Sequence, residues 1–161
     1  MKLSTKGRYA MVALADLAGR AGGGDAATTS LAEIARRQQV SLPYLEQLFV
    51  KLRRAGLVES VRGPGGGYRL SRPASDIRVS DVLEAVDETV SALHTGAGAS
   101  GGASGSPEQA LTTRLWESLS ANVYVFLHQT RLSDVVADEL TPCPAVPNLL
   151  AVVDEDEAIG S

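Results

Sequence analysis

"SLAEIARRQQVSLPYLEQLFVKLRRAGLVESVRGPGGGYRL" spans residues 30–70 and changes pattern three times. It opens on a capping box: Glu33 lies three positions after Ser30, so hydroxyl and carboxylate can each satisfy the other's backbone donor. Leu31, Ile34 and Ala35 then share one helical face, and the pattern stops near Gln39. A second helix starts at Ser41, a natural N-cap. Pro43 falls in its first turn, where the N–H it lacks would have had no helical partner. Leu42, Leu45, Leu48, Phe49 and Leu52 form the expected core stripe, and Gly56 is placed to end the helix. Two strand-like runs, "LVESV" and "YRLSR", then flank "RGPGGG", the pattern of a β-hairpin.

Two helices joined by a three- or four-residue turn make a helix-turn-helix. An earlier helix, capped by Ser4 or Thr5, carries Ala10, Ala13, Leu14, Leu17, Ala18 and Ala21 on one face before "AGGGDAATTS" loops away. Three helices and then a hairpin are the layout of a winged helix. "RVSDVLEAVDE" predicts a further short helix capped by Ser80. A Gly/Ala/Ser run follows. From about Pro107 to Gln129 the pattern is helical again, with Leu111, Leu115, Leu119, Val123 and Phe126 in one stripe and Trp116, Val125 and Leu127 beside it. That is more apolar surface than an isolated helix can hide, so it must pack on the N-terminal domain, on a partner chain, or on both. "RLSDVVADEL" continues or follows it as a shorter helix. The expected fold is mainly α with a small β-hairpin: a winged helix-turn-helix domain at 1–88, a flexible loop at 89–106, dimerisation helices at 107–140, and an acidic, disordered tail at 141–161.

Net charge is −4, but it is unevenly placed. Residues 1–80 hold 13 of the 15 basic and 6 of the 19 acidic residues, a net of +7, and the remainder is net −11. A basic half beside an acidic half points to an anion-binding module joined to something else. No apolar run approaches the roughly 20 residues of a membrane span, and "MKLSTKGRYA" lacks a signal peptide's apolar core, so a cytoplasmic protein is expected. One cysteine, Cys143, excludes an internal disulfide framework. No enzyme is expected: His94 and His128 have no spacing partner, and "RGPGGGYRL" lacks the Lys-Ser/Thr of a phosphate-binding loop.

In a helix-turn-helix the second helix enters the major groove N-terminal end first. Off its core stripe lie Pro43, Gln47, Val50 and Arg54, with Tyr44 and Glu46 on the flanks. Ser41, Tyr44 and Gln47 can donate to phosphates or base edges. Glu46 can accept only from a cytosine amino group, which suits it to reject wrong sequences. Arg62, Gly63 and Gly65 open the wing, where glycine lets a backbone approach a phosphate ribbon and arginine suits a narrow minor groove. Lys2, Lys6, Arg8, Arg53 and Arg69 are expected backbone contacts.

"MKLSTKGRYAMVALADLA", "SLPYLEQLFVKLRRAGLVESVRGPGGGYRL" and "VSDVLEAVDE" closely resemble the iron–sulfur cluster regulators of the Rrf2 family of bacterial winged-helix transcription regulators. The likeness runs from Met1 to about Glu88 and resumes at "ALTTRLWESL". It implies a homodimer on a near-palindromic double-stranded DNA operator. The long C-terminal helices would cross through Leu111, Leu115, Trp116, Leu119, Val123 and Phe126. It also implies that Ser41, Pro43, Tyr44, Glu46 and Arg62 lie at the DNA, with Glu46 tied to operator choice. Pro43 stands where the family often has serine, so a side-chain hydrogen bond is lost there.

The family's sensor is a 2Fe–2S cluster, held by three cysteines in the loop before the long helix and often by a histidine. The resemblance places those ligands at Ala97 (Thr95 and Ala99 being alternatives), Ala103, Ala110 and, for the histidine, Thr113. Alanine and threonine offer iron neither thiolate nor imidazole. No cofactor is therefore expected in this sequence. Two explanations stand: cysteines replaced by alanine, or a natural relative without the cluster. The rival functions are a regulator of the same family sensing another signal and a winged-helix module that binds protein rather than DNA.

Overall fold

The computed structural model describes residues 5–21, 28–86 and 106–140. Lys2, Ser4, Ala97, Ala103 and Cys143, most of the 89–106 loop and the 141–161 tail lie outside them. The order is α1 (Thr5–Arg20), α2 (Leu31–Gln38), α3 (Leu42–Arg54), β1 (Val58–Val61), β2 (Gly67–Leu70), α4 (Val79–Ala85), α5 (Pro107–Gln129) and α6 (Leu132–Val136). A single 3-10 turn, Ala74–Asp76, precedes α4. The protein is mainly helical, with a small hairpin.

α1 buries Gly7, Ala10, Ala13, Leu14 and Leu17. Its small residues let neighbouring helices come close. Ala18 is half-buried, but Ala21 lies beyond the helix and is exposed, so the expected stripe ends one turn early. α2 starts with the capping box as expected. The Glu33 N–H donates to Ser30 Oγ at 3.2 Å, and the Ser30 N–H donates to Glu33 Oε2 at 2.9 Å. The Ser30 N–H, and after it the Ser30 hydroxyl, hold the Glu33 carboxyl below its ordinary pKa. Gln39 closes α2 in the left-handed region (φ 54°), and the chain enters α3 through Val40, which is buried.

In α3 the stripe Leu45, Leu48, Phe49 and Leu52 is buried, with Leu45, Phe49 and Leu52 fully so. Leu42 departs from expectation: it is 36% exposed. As the first residue of the helix, it precedes the point at which the stripe joins the core. Ser41 occupies the N-cap, but its side chain makes no capping hydrogen bond. Gly56 ends the helix at φ 73°, a conformation that disfavours residues with a Cβ.

β1 and β2 pair antiparallel, from Val58 opposite Leu70 to Val61 opposite Gly67. The other edge of β2 takes Thr29, which the sequence placed in a loop. The Thr29 N–H donates to the Tyr68 carbonyl (2.9 Å), and the Tyr68 N–H donates to the Thr29 carbonyl (2.8 Å). Gly67 permits this approach, because a Cβ there would lie 2.6 Å from the Thr29 carbonyl.

α2 and α1 are tied by charge as well as packing. Arg37 Nε and Nη2 donate to the two Asp16 carboxylate oxygens at 3.0 and 2.6 Å, and Gln38 adds a bond at 2.8 Å. The Arg37 hydrogen bonds are the main reason the Asp16 carboxyl sits below its ordinary pKa.

α4 does not start from a Ser80 cap. Arg78 holds the cap position and its N–H donates to Asp81 Oδ2 at 3.1 Å. Ser80 lies inside the first turn, 4% exposed. Its hydroxyl faces His128 at the end of α5, with 3.3 Å between Ser80 Oγ and His128 Nδ1. The Arg78 guanidinium donates to the same imidazole at Nε2, and the Tyr124 ring stacks on it at 5.6 Å between centroids. This group joins the long helix to the body.

α5 runs for 23 residues, capped by Ser106, whose Oγ accepts from the Gln109 N–H at 3.2 Å. At 1.5 Å per residue it is about 34 Å long. It has no buried residue. α6, by contrast, returns to the body. The Leu132 N–H donates to the Ile77 carbonyl at 2.9 Å, and Leu132 is fully buried in the same cluster as Leu14, Ile34 and Phe49. The 107–140 segment thus divides into a helix that leaves the core and one that completes it.

Candidate nucleic-acid interface

The core that buries Leu45, Leu48, Phe49 and Leu52 fixes which side of α3 faces outward. Ser41, Pro43, Glu46, Gln47 and Arg54 are all exposed on it. Tyr44 is half-buried, its ring edge-on to Tyr9 at 5.7 Å and 82°. That contact sets the early turns of α1 beside the first turn of α3, and Lys6 and Arg8 on those turns are exposed. The last turn of α3 carries Lys51, Arg53 and Arg54.

The wing is a tight turn. Arg62 follows β1 and is exposed, Gly63 and Gly65 take φ values of 107° and 75°, and the Gly66 N–H donates to the Gly63 carbonyl at 2.9 Å. The Thr28 hydroxyl donates to the Gly65 carbonyl, holding the tip to the segment that enters α2. Arg69 is differently placed: Nε pairs with Glu59 Oε1 across the hairpin at 2.5 Å, which compensates its charge. The sequence missed Leu42 on the outward face. The helical wheel put it in the stripe, and no local signal marks where a stripe meets a core. It also missed the partners of His128, because Arg78 and Ser80 are about 50 residues away.

The residues expected to face a partner chain are not covered by this one. Leu111 (65%), Leu115 (57%), Trp116, Leu119 and Phe126 (52%) are exposed, and Val123 is half-buried. Ala110 and Thr113 lie in the first turns of α5 and are exposed. A methyl group and an alcohol do not fit the three-cysteine and histidine set of an iron–sulfur cluster. Among the described residues no group of three or more His, Cys, Asp or Glu could hold a metal ion. None of the described helices is long and apolar enough to cross a membrane.

Residues 3–138 match the family model Rrf2, described as an iron-dependent transcriptional regulator. The HTH-type transcriptional regulator IscR of Cereibacter sphaeroides is 72% identical over 156 residues, which cover 97% of this chain and all of that protein. Among solved structures, T. potens IscR is similar at a TM-score of 0.66 and 34% identity, covering 94% of this chain and 96% of that one. The global cysteine regulator CymR of B. subtilis is similar at 0.70 and 34%, covering 85% and 97%.

Proposed function

We propose a function from one premise: the chain belongs to the Rrf2 family of iron-dependent transcriptional regulators, and is itself a DNA-binding transcription regulator of the winged helix-turn-helix type. It acts in the cytoplasm as a homodimer on a near-palindromic operator, and not as an enzyme. Each protomer places α3 in the major groove of one half-site. Ser41, Tyr44, Gln47 and Arg54 contact phosphates or base edges, Pro43 shapes the helix tip, and Glu46 selects by accepting from a cytosine amino group. Arg62, Gly63 and Gly65 bring the wing to the minor groove, and Lys2, Lys6 and Arg8 contact phosphates. The apolar face of α5 packs on its copy from the second protomer. IscR-type relatives make genes of iron–sulfur cluster biogenesis the natural targets.

The observation that carries this reading is the exposed polar row of α3, its opposite face held in the core, together with the exposed Arg62 at the start of the wing. The usual cluster ligation is not available, since Ala110 and Thr113 occupy two of its positions. DNA reading and cluster holding are thereby separated in the one chain.

A mobility-shift titration over salt tests the reading. Affinity for an operator duplex should fall steeply, by roughly 1,000-fold or more between 50 and 200 mM salt if six or more phosphates are neutralised. Binding that is absent, or indifferent to salt, would favour a protein partner instead.

A further inference from the structure

Leu42 is a leucine without a core. It is 36% exposed at the first position of α3, while the buried stripe begins at Leu45. Its neighbours Ser41 and Pro43 are exposed as well, so Leu42 and Pro43 put an apolar patch at the helix tip, next to the Ser41 hydroxyl. We propose that Leu42 reads the 5-methyl group of a thymine in the major groove, close to the cytosine that Glu46 accepts from. The inference rests on the DNA-binding reading above and assigns it a further specificity residue.

Three observations converge on a base rather than a protein partner. The tip leads the helix that the fold presents outward, and the N-terminal half around it is net +7, which complements phosphate. Thymine's methyl is the apolar group that the major groove offers. Leu42 and Glu46 are four residues apart, on one face of the helix. Four residues advance about 6 Å along the axis, against about 3.4 Å between successive bases of a strand. The methyl read by Leu42 therefore lies one or two base steps from the cytosine read by Glu46. Pro43, with no N–H and no side-chain donor, offers no hydrogen bond of its own beside Leu42.

The test is a demethylation scan. An operator is selected from random duplexes with the full chain, and each thymine is replaced in turn by deoxyuridine. One thymine per half-site, one or two steps from the Glu46 cytosine, should lose about fourfold in affinity, the value of one buried methyl. Leu42→Ala should bind the thymine and deoxyuridine forms of that position equally, and Glu46→Ala should keep the fourfold ratio. Each ratio compares two duplexes with one protein, so a partly unfolded variant does not distort it. If no thymine is sensitive, or if the sensitivity survives Leu42→Ala, the assignment is overturned while DNA binding stands. Failure to select any duplex is a different result, and overturns the DNA reading and this inference together.

Discussion

α3 and α5 have the same kind of sequence and opposite fates. Both are amphipathic, and both carry leucines at helical spacing. α3 hides its stripe within its own chain: Leu45, Phe49 and Leu52 have no exposed surface. α5 has no fully buried residue, and Leu111, Leu115 and Phe126 stay more than half exposed. Periodicity tells which face of a helix is apolar. It does not tell whose atoms cover that face. α3 is held by its own chain, as the proposed reading head requires. α5 is apolar and uncovered, which is what an assembly surface requires.

The contrast predicts that damage to the two helices is felt in different measurements. Phe49→Ala should cost about 4 kcal/mol of folding stability, the usual price of a large core cavity, read by urea unfolding. A loss below about 1 kcal/mol would mean the α3 core is looser than its burial implies. Leu115→Asp should leave folding of the protomer little changed and weaken dimerisation at least about 100-fold, since both copies lose a buried leucine. Sedimentation at graded concentrations checks this, and an unshifted dimer would remove α5 as the assembly surface. Arg62→Ala should weaken operator binding about tenfold without changing either stability or dimerisation; unchanged affinity would take the wing out of the interface.

The smallest effect is electrostatic and belongs to the support of the reading head. The folded Asp16 carboxyl lies below its ordinary value of 3.8, chiefly through the Arg37 hydrogen bonds. Its contribution is therefore complete above the unfolded pKa and is lost as pH falls through the lower folded value. Asp16→Asn should lower stability at neutral pH and flatten the acid limb of the stability curve below about pH 4. Parallel curves for the two proteins would show that the pair does not stabilise the fold.

Most of the fold was legible because its signals are local. Ser30 and Glu33 announce the start of α2 over three residues, and Gly56 announces the end of α3 by itself. The signals that failed depend on distant atoms. Ser80 looks like a helix cap in sequence, yet it faces His128 from within the first turn of α4. Thr29 reads as loop until β2 lies beside it, and Gly67 gains its meaning from the same pairing. Leu42 fits the stripe by spacing, but whether a stripe is covered at its first turn depends on where its neighbours stop. The outward residues of α3 were legible for the complementary reason: they are what remains once the core stripe is removed.

The joint at His128 has a mechanical consequence. α5 meets the body near its C-terminal end, where His128, with Tyr124 of the same helix stacked on it, faces Arg78 and Ser80. The rest of its roughly 34 Å is a lever whose fulcrum is that small polar group. A rotation of about 5° there carries the far end through about 3 Å, close to the rise of one base pair. In the proposed homodimer, paired along these levers, a few degrees at the fulcrum would reset the distance between the two α3 helices. On that proposal, the spacing of half-sites would depend on the angle of a joint far from any base.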